Sequence, residues 1–74
     1  MDKPTFDKPT TLSHMQHEVM VRYSIGLTTG EIATELGIAP GTVHEHLGRA
    51  CAKLGAKNRR HAAILYDRLL RATA

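Results

Sequence analysis

The sequence predicts an all-α domain of four helices. Two capping boxes mark helix starts: Ser13 is followed by Gln16 in an S-x-x-Q pattern, and Thr28 is followed by Glu31 in a T-x-x-E pattern. Apolar residues recur at helical spacing after each box, and no stretch shows the period-two alternation typical of a strand. With 74 residues there is room for one small domain with a marginal core, so pairing with a second subunit is expected.

The first helix is predicted to open at Ser13 and to end at Gly26. The residues before it, 1–11, contain the segment DKPT twice and few apolar groups. Two prolines and little apolar surface are typical of a flexible arm. The domain itself is therefore predicted over residues 12–74.

Residues 31–47 read EIATELGIAPGTVHEHL, which has the spacing of a helix-turn-helix. Gly37 suits the left-handed backbone that closes a helix, and Pro40 suits a first turn because its missing N–H costs nothing there. The second helix is therefore predicted over residues 28–36 and the third over residues 40–54. Two helices joined by so short a turn can press the second one into the major groove of DNA. The apolar residues expected to lock them together are Ile32, Leu36, Ile38, Val43 and Leu47, with the small Ala33 at the crossing.

A last helix is predicted from Arg59 to about Arg71, with Asn58 as its cap. Its apolar stripe is broad and comprises Ala62, Leu65, Tyr66, Leu69 and Leu70. Part of such a stripe must cover the domain's own core, and the rest is available for a second subunit. The predicted dimerisation residues are Ala62, Leu65, Tyr66 and Leu69, of which Ala62, Leu65 and Leu69 are expected to divide between both tasks.

Positive charge is concentrated in the second part of the chain. Residues 1–43 hold three Lys or Arg against five Asp or Glu, a net −2, whereas residues 44–74 hold seven against two, a net +5. This asymmetry favours a polyanionic partner, although a solvated cationic face is common in small domains. The charge gains weight because it begins where the third helix begins.

Several function classes find no support in the sequence. No apolar run approaches the roughly 20 residues of a membrane span and no signal-peptide pattern is visible, so a cytoplasmic protein without membrane contact is expected. Cys51 is the single cysteine, and no Cys/His array has zinc-site spacing, so neither a disulfide nor a metal or other cofactor is expected. No nucleophile elbow, phosphate-binding glycine loop or paired-carboxylate cleft is present, so we expect a binding protein and not an enzyme.

Four segments between residues 12 and 64 resemble the LuxR/GerE-type DNA-binding domain of bacterial transcription regulators. They read LSHMQHEVM, GLTTGEIATELGI, GTVHEHL and KLGAKNRRHAAI. The last is the most discriminating, because region 4 of sigma factors shares only the middle of the pattern. The resemblance implies binding to double-stranded DNA as a homodimer, with the third of four helices in the major groove and the fourth in the dimer contact. In 74 residues there is no room for a receiver or ligand-binding domain, so a stand-alone regulator is expected.

The third helix can be sorted by angle at about 100° per residue. The inward side comprises Val43, Leu47, Ala50 and Leu54, and the outward side comprises Gly41, His44, Glu45, Gly48, Arg49 and Ala52. In the family that the chain resembles, base contacts come mainly from the positions of His44, Glu45 and Gly48. Glu45 could accept from cytosine N4, and Arg49 could donate to guanine O6 and N7. Glu45 could equally be a solvated carboxylate near the helix N-terminus.

Contacts to phosphate are predicted at helix starts and at basic residues. The candidates are Thr28, Thr29, Thr42, Lys53, Arg59 and Arg60. For Thr28 the role of helix cap is favoured. The family often has histidine at the position of His46, which is expected either at the edge of the core or in contact with the DNA backbone, the first being favoured.

Two functional hypotheses remain open. The first is a transcription regulator that reads an inverted repeat as a homodimer. The second is an interaction module that forms a heterodimer with larger regulators of the same family and removes them from DNA. The scarcity of side chains at Gly41, Gly48 and Ala52 motivates the second hypothesis, and the basic residues that remain argue against it.

Overall fold

The structure is a computed structural model in which residues 11–72 are described. Four α-helices follow one another: α1 (His14–Ser24), α2 (Thr29–Leu36), α3 (Pro40–Leu54) and α4 (Arg59–Ala72). The described part contains no strand, which confirms the predicted all-α fold of four helices. Each of these four helices falls short of the length and hydrophobicity that a membrane-spanning helix needs. Except for Thr11, the predicted arm lies outside the described residues.

Side-chain caps define where three of the helices begin, as predicted. The Ser13 hydroxyl accepts a hydrogen bond from the Gln16 N–H at 3.1 Å, and the Gln16 side chain accepts one from the Ser13 N–H at 3.0 Å. Thr28 and Glu31 repeat this exchange at 3.1 and 2.8 Å. At α4 the Asn58 side chain accepts from the N–H three residues later, at 2.8 Å. Each cap satisfies backbone N–H groups that have no partner within the helix.

The turn of the helix-turn-helix also has the predicted local structure. Gly37 closes α2 in the left-handed conformation, with φ 68°. Pro40 then occupies the first turn of α3, where Ala39 is the N-cap and provides no side-chain hydrogen bond. Gly55 ends α3, again left-handed, with φ 67°.

The core lies between all four helices, and α1 and α3 each contact the other three. It consists of Leu12, Val19, Met20, Ile32, Ala33, Val43, Leu47, Ala50, Ala62 and Tyr66, all buried. The helix-turn-helix is therefore not held by its own contacts alone. Since α3 also packs against α1 and α4, its direction relative to the rest of the domain is set from three sides.

Two residues of α4 that were predicted to form the dimer surface belong to this core. Ala62 and Tyr66 have no exposed surface. The Tyr66 hydroxyl is hydrogen-bonded to Nδ1 of His17 on α1, and the two rings meet edge to face with their centroids 5.8 Å apart. The assignment of Ala62 and Tyr66 to a dimer contact is therefore wrong, because the side of α4 that carries them is covered within the same chain.

The other two predicted dimerisation residues are only partly covered. Leu69 is half-buried and packs against the core, so it belongs at least in part to the domain itself. Leu65 is half-buried and lies outside the group that packs against the core. Of the four predicted dimerisation residues, Leu65 packs least against the rest of its own domain.

Arg22 connects α1 to α2. Its guanidinium donates to the Glu18 carboxylate at 2.7 Å and to the Glu35 carboxylate at 2.8 Å. The hydrogen bond from Arg22 lowers the pKa of Glu18. A charged residue at this position of α1 thus has two carboxylates to pair with, one on its own helix and one on the first helix of the helix-turn-helix.

Candidate nucleic-acid interface

The two sides of α3 are sharply different. On the inward side Val43, Leu47 and Ala50 are fully buried. The opposite side is exposed along its length and carries Gly41, His44, Glu45, Gly48, Arg49, Ala52 and Lys53. The sorting predicted from helical angle is therefore confirmed, and this exposed set is called the outward side below.

Bare backbone occupies part of the outward side. A Cβ atom placed at Gly41 or Gly48 would meet no atom of the protein within 4 Å, and neither residue has a positive φ. Glycine inside a helix is less favourable than alanine by roughly 0.5–1 kcal/mol. The packing of this domain therefore gives no reason for glycine at these two positions.

Glu45 and Arg49 form an ion pair on the outward side. The Arg49 Nη2 atom donates to Glu45 Oε2 at 2.9 Å, and the two side chains are 55% and 60% exposed. These two residues were predicted separately as base-reading groups, and their pairing was not predicted. Their spacing of four residues is the signal that would have predicted the pair, because residues i and i+4 are neighbours on a helix.

The residues predicted to contact phosphate are distributed over three helix starts and the end of α3. Thr28 uses its hydroxyl to cap α2, which confirms its favoured role. Thr29 and Thr42 are half-buried in the first turns of α2 and α3. Lys53 and Arg60 are exposed, and Arg59 is half-buried at the start of α4. Their contact with phosphate stays a prediction.

His46 lies on the boundary between the core and the outward side. The ring is half-buried, and its Nδ1 atom is buried without a hydrogen-bond partner among the described residues. This placement agrees with the core-edge position that was favoured for His46. Contact between its ring and the DNA backbone remains untested.

Cys51 is half-buried on the inward edge of α3 and packs against the core. Burial raises the pKa of its thiol. Since the thiolate is the reactive form of cysteine, this environment disfavours reaction and fits a packing role.

An exposed apolar patch between the end of α1 and α4 was not predicted from the sequence. Ile25 is 69% exposed and Ile64 is 47% exposed, and both line one shallow depression with Ala63 and Asp67. Ile64 lies two positions before the buried Tyr66, which places them about 200° apart around the helix. Because Tyr66 is buried, this angle would have predicted that Ile64 faces solvent.

Comparison with known proteins agrees with this architecture. The family described as "Bacterial regulatory proteins, luxR family" matches residues 10–66. The spore germination protein GerE of Bacillus subtilis is 36% identical over 64 residues, a match that covers 86% of each chain.

Two longer relatives also match most of the chain. The transcriptional activator protein EchR of Dickeya chrysanthemi is 40% identical over 58 residues, which are 78% of this chain and 23% of EchR. The transcriptional activator protein BjaR1 of Bradyrhizobium diazoefficiens is 41% identical over 63 residues, which are 85% of this chain and 26% of BjaR1. The chain thus spans about a quarter of these two relatives and most of GerE. It belongs to the LuxR/GerE family of bacterial regulatory proteins, as a helix-turn-helix DNA-binding domain of transcription regulators.

Proposed function

We propose that this protein binds double-stranded DNA as a homodimer and regulates transcription, with α3 in the major groove and α4 in the dimer contact. The observation that carries the proposal is the outward side of α3, which is exposed along its length while its other side is buried against three helices. A helix with one long free side, held rigidly on the other, can enter a groove without unfolding the domain.

Charge supports DNA as the partner. Residues 44–74 carry a net +5, counting seven Lys or Arg against two Asp or Glu. Lys53 extends the outward side at the end of α3, and Arg59 and Arg60 follow at the start of α4. These cations would neutralise phosphates on either side of the groove, while Thr29, Thr42 and His46 would add polar contacts to the backbone.

The apolar patch supports pairing through α4. Ile25 and Ile64 are the large hydrophobic residues most exposed to solvent in the described chain. Ile64 lies on α4 on the side away from the core, one position before the half-buried Leu65. In a two-fold contact centred on Ile64, with Leu65 and Ile25 beside it, the patch of one copy would pack against the same patch of a second copy.

The same patch motivates a second candidate function. A protein that keeps this surface but binds DNA weakly would form heterodimers with larger regulators of the family and remove them from DNA. The bare backbone at Gly41 and Gly48 favours this alternative, because it leaves few side chains with which to read a sequence. The net +5 of residues 44–74 favours the first proposal.

Binding of the purified protein to random genomic fragments, measured at several salt concentrations, separates the two functions. For the regulator we expect a palindromic sequence to be enriched, and log K to fall by about 0.9 per phosphate contact for each unit rise in log salt. No retention of DNA at low salt would overturn the regulator proposal and favour the interaction module.

Lys53→Ala is expected to weaken binding to all DNA sequences alike and to lower the salt slope by about 1, because a phosphate contact carries no sequence information. Lys53→Arg is the matched control, since it keeps the charge and should retain both affinity and slope. Fluorescence anisotropy on a selected and a scrambled duplex checks this. A loss confined to the selected duplex would contradict the role of Lys53.

Gly48→Ala is expected to have opposite effects on folding and binding. The added methyl group meets no protein atom within 4 Å, so the free energy of unfolding should rise by roughly 0.5–1 kcal/mol. On the outward side the same methyl group would stand between the helix backbone and DNA, so affinity should fall. Thermal unfolding and anisotropy titrations measure the two effects. A variant with unchanged DNA affinity would show that DNA does not approach this glycine.

A further inference from the structure

The Glu45–Arg49 pair has an arrangement of donors and acceptors that DNA bases can match. The hydrogen bond between Nη2 and Oε2 uses one of the five guanidinium N–H groups of Arg49 and one carboxylate oxygen of Glu45. Four N–H donors and the other oxygen, Oε1, are left for a partner. The intact pair therefore offers donors at one end and an acceptor at the other, side by side on the outward side of α3.

The edge of a G·C base pair in the major groove has the complementary order. Guanine presents two acceptors, N7 and O6, and cytosine beside it presents the N4 amino donor. Arg49 can donate to the guanine while Glu45 accepts from the cytosine of the same base pair, and the bond between the two side chains is kept. Neither residue then leaves a charge buried without a partner, which would be costly in a closed interface.

No other base pair matches this order in full. A T·A pair offers the thymine O4 acceptor to the arginine and the adenine N6 donor to the carboxylate, but it places the thymine methyl group where guanine has its second acceptor, N7. An A·T pair presents the adenine N6 amino group to the arginine and the thymine O4 atom to the carboxylate. A donor then faces a donor, and an acceptor faces an acceptor. A reversed C·G pair places the cytosine amino group against the arginine and guanine acceptors against the carboxylate. The fixed order of donors and acceptors along the pair thus reads the orientation of the base pair as well as its identity.

The surroundings of the pair permit this contact. At about 100° per residue, Gly41, Gly48 and Ala52 lie within about 60° of Glu45 around the helix. All three are exposed, and a Cβ at either glycine would meet open space. No long side chain at these positions holds the helix away from the base edges, and a short carboxylate such as Glu45 can reach them only if the helix comes close.

We infer that Glu45 and Arg49 act as one unit that specifies a single G·C base pair in each half-site, with guanine on the Arg49 side and cytosine on the Glu45 side. This inference rests on the proposed binding of α3 in the major groove. It adds the class of target sequence and the two residues that determine it.

The test is selection of bound duplexes from a random DNA library with the full chain and with the variants Glu45→Ala and Arg49→Ala. We expect the unchanged protein to select one oriented G·C pair per half-site, and reversal of that pair should weaken binding about tenfold or more. Arg49→Ala should lose the preference at that position, and Glu45→Ala should weaken it, because Arg49 can still donate to guanine when Glu45 is absent. Replacing its guanine by 7-deazaguanine, which lacks the N7 acceptor, should weaken binding of the unchanged protein and of Glu45→Ala but not of Arg49→Ala.

The control variant Lys53→Ala should bind more weakly and select the same base pair. Failure of the inference differs visibly from failure of the proposed function. If the unchanged protein retains no DNA at low salt, the proposed function fails and the inference with it. If it selects a sequence and both variants select the same sequence, DNA binding stands and the role of the Glu45–Arg49 pair is overturned. Both side chains are exposed, so the variants should stay folded. Far-UV circular dichroism checks this.

Discussion

Tyr66→Ala is expected to lower the free energy of unfolding by about 3–5 kcal/mol, the usual effect of removing a large side chain from a packed core. Tyr66 is fully buried and its hydroxyl is bonded to His17 on α1. A domain of this size has a total stability of only about 5 kcal/mol. The variant should therefore be largely unfolded, which loss of the helical signal in far-UV circular dichroism would show.

Tyr66→Phe is the matched control for this prediction. It keeps the ring in the core and removes the hydroxyl that bonds to His17, so the expected loss is smaller, about 1–3 kcal/mol. Urea unfolding measures the difference between the two variants. If Tyr66 lay in a dimer contact instead, Tyr66→Ala would leave a folded monomer and change only the dissociation constant of the dimer.

Ile64→Glu is expected to abolish the proposed dimer and leave the fold intact. The introduced carboxylate would face its own copy across a two-fold contact, and each charge would lose water. Within one chain it lies one helical turn before Arg68, a favourable spacing in a helix, and position 64 is 47% exposed. Analytical ultracentrifugation should show a monomer, with a thermal unfolding midpoint close to that of the unchanged chain at low concentration.

The loss of the dimer should also weaken DNA binding. A dimer that binds two half-sites at once has an affinity about 10²–10⁴ times higher than a monomer that binds one half-site. Ile64→Glu should remove that gain. Ala52→Glu is the matched control, because it introduces the same charge on the outward side of α3. Ala52→Glu should still form the proposed dimer but should no longer bind DNA. A stable dimer of Ile64→Glu would show that the protein pairs through another surface.

The helix bounds could be predicted from the sequence because they depend on short-range interactions. In the capping pairs Ser13–Gln16 and Thr28–Glu31 the two residues are three positions apart. Their hydrogen bonds therefore need no contact with distant parts of the chain. The left-handed turn at Gly37 depends on the residue type itself. For the same reason the outward side of α3 could be derived from helical angle, since its inward residues form a narrow stripe.

The division of α4 could not be predicted, because its apolar stripe is wider than the surface that its neighbours cover. Angle alone shows that Ala62, Leu65 and Tyr66 lie near one another, and it does not show where α1 and α3 press against them. The same holds for Arg22, whose partner Glu35 is 13 residues away on another helix. Such contacts depend on how whole helices cross, which is a property of the packed domain.

Short-range sequence signals are sufficient to predict the four helices, the helix-turn-helix, the exposed side of α3 and the LuxR/GerE family. Only the folded domain shows that Tyr66 belongs to the core, that Ile64 faces solvent and that Glu45 is paired with Arg49 in the absence of DNA. The difference comes from the range of the interactions. Caps, turns and helical periodicity act within a few residues, whereas burial and side-chain partners on a broad apolar helix depend on which neighbours pack against it.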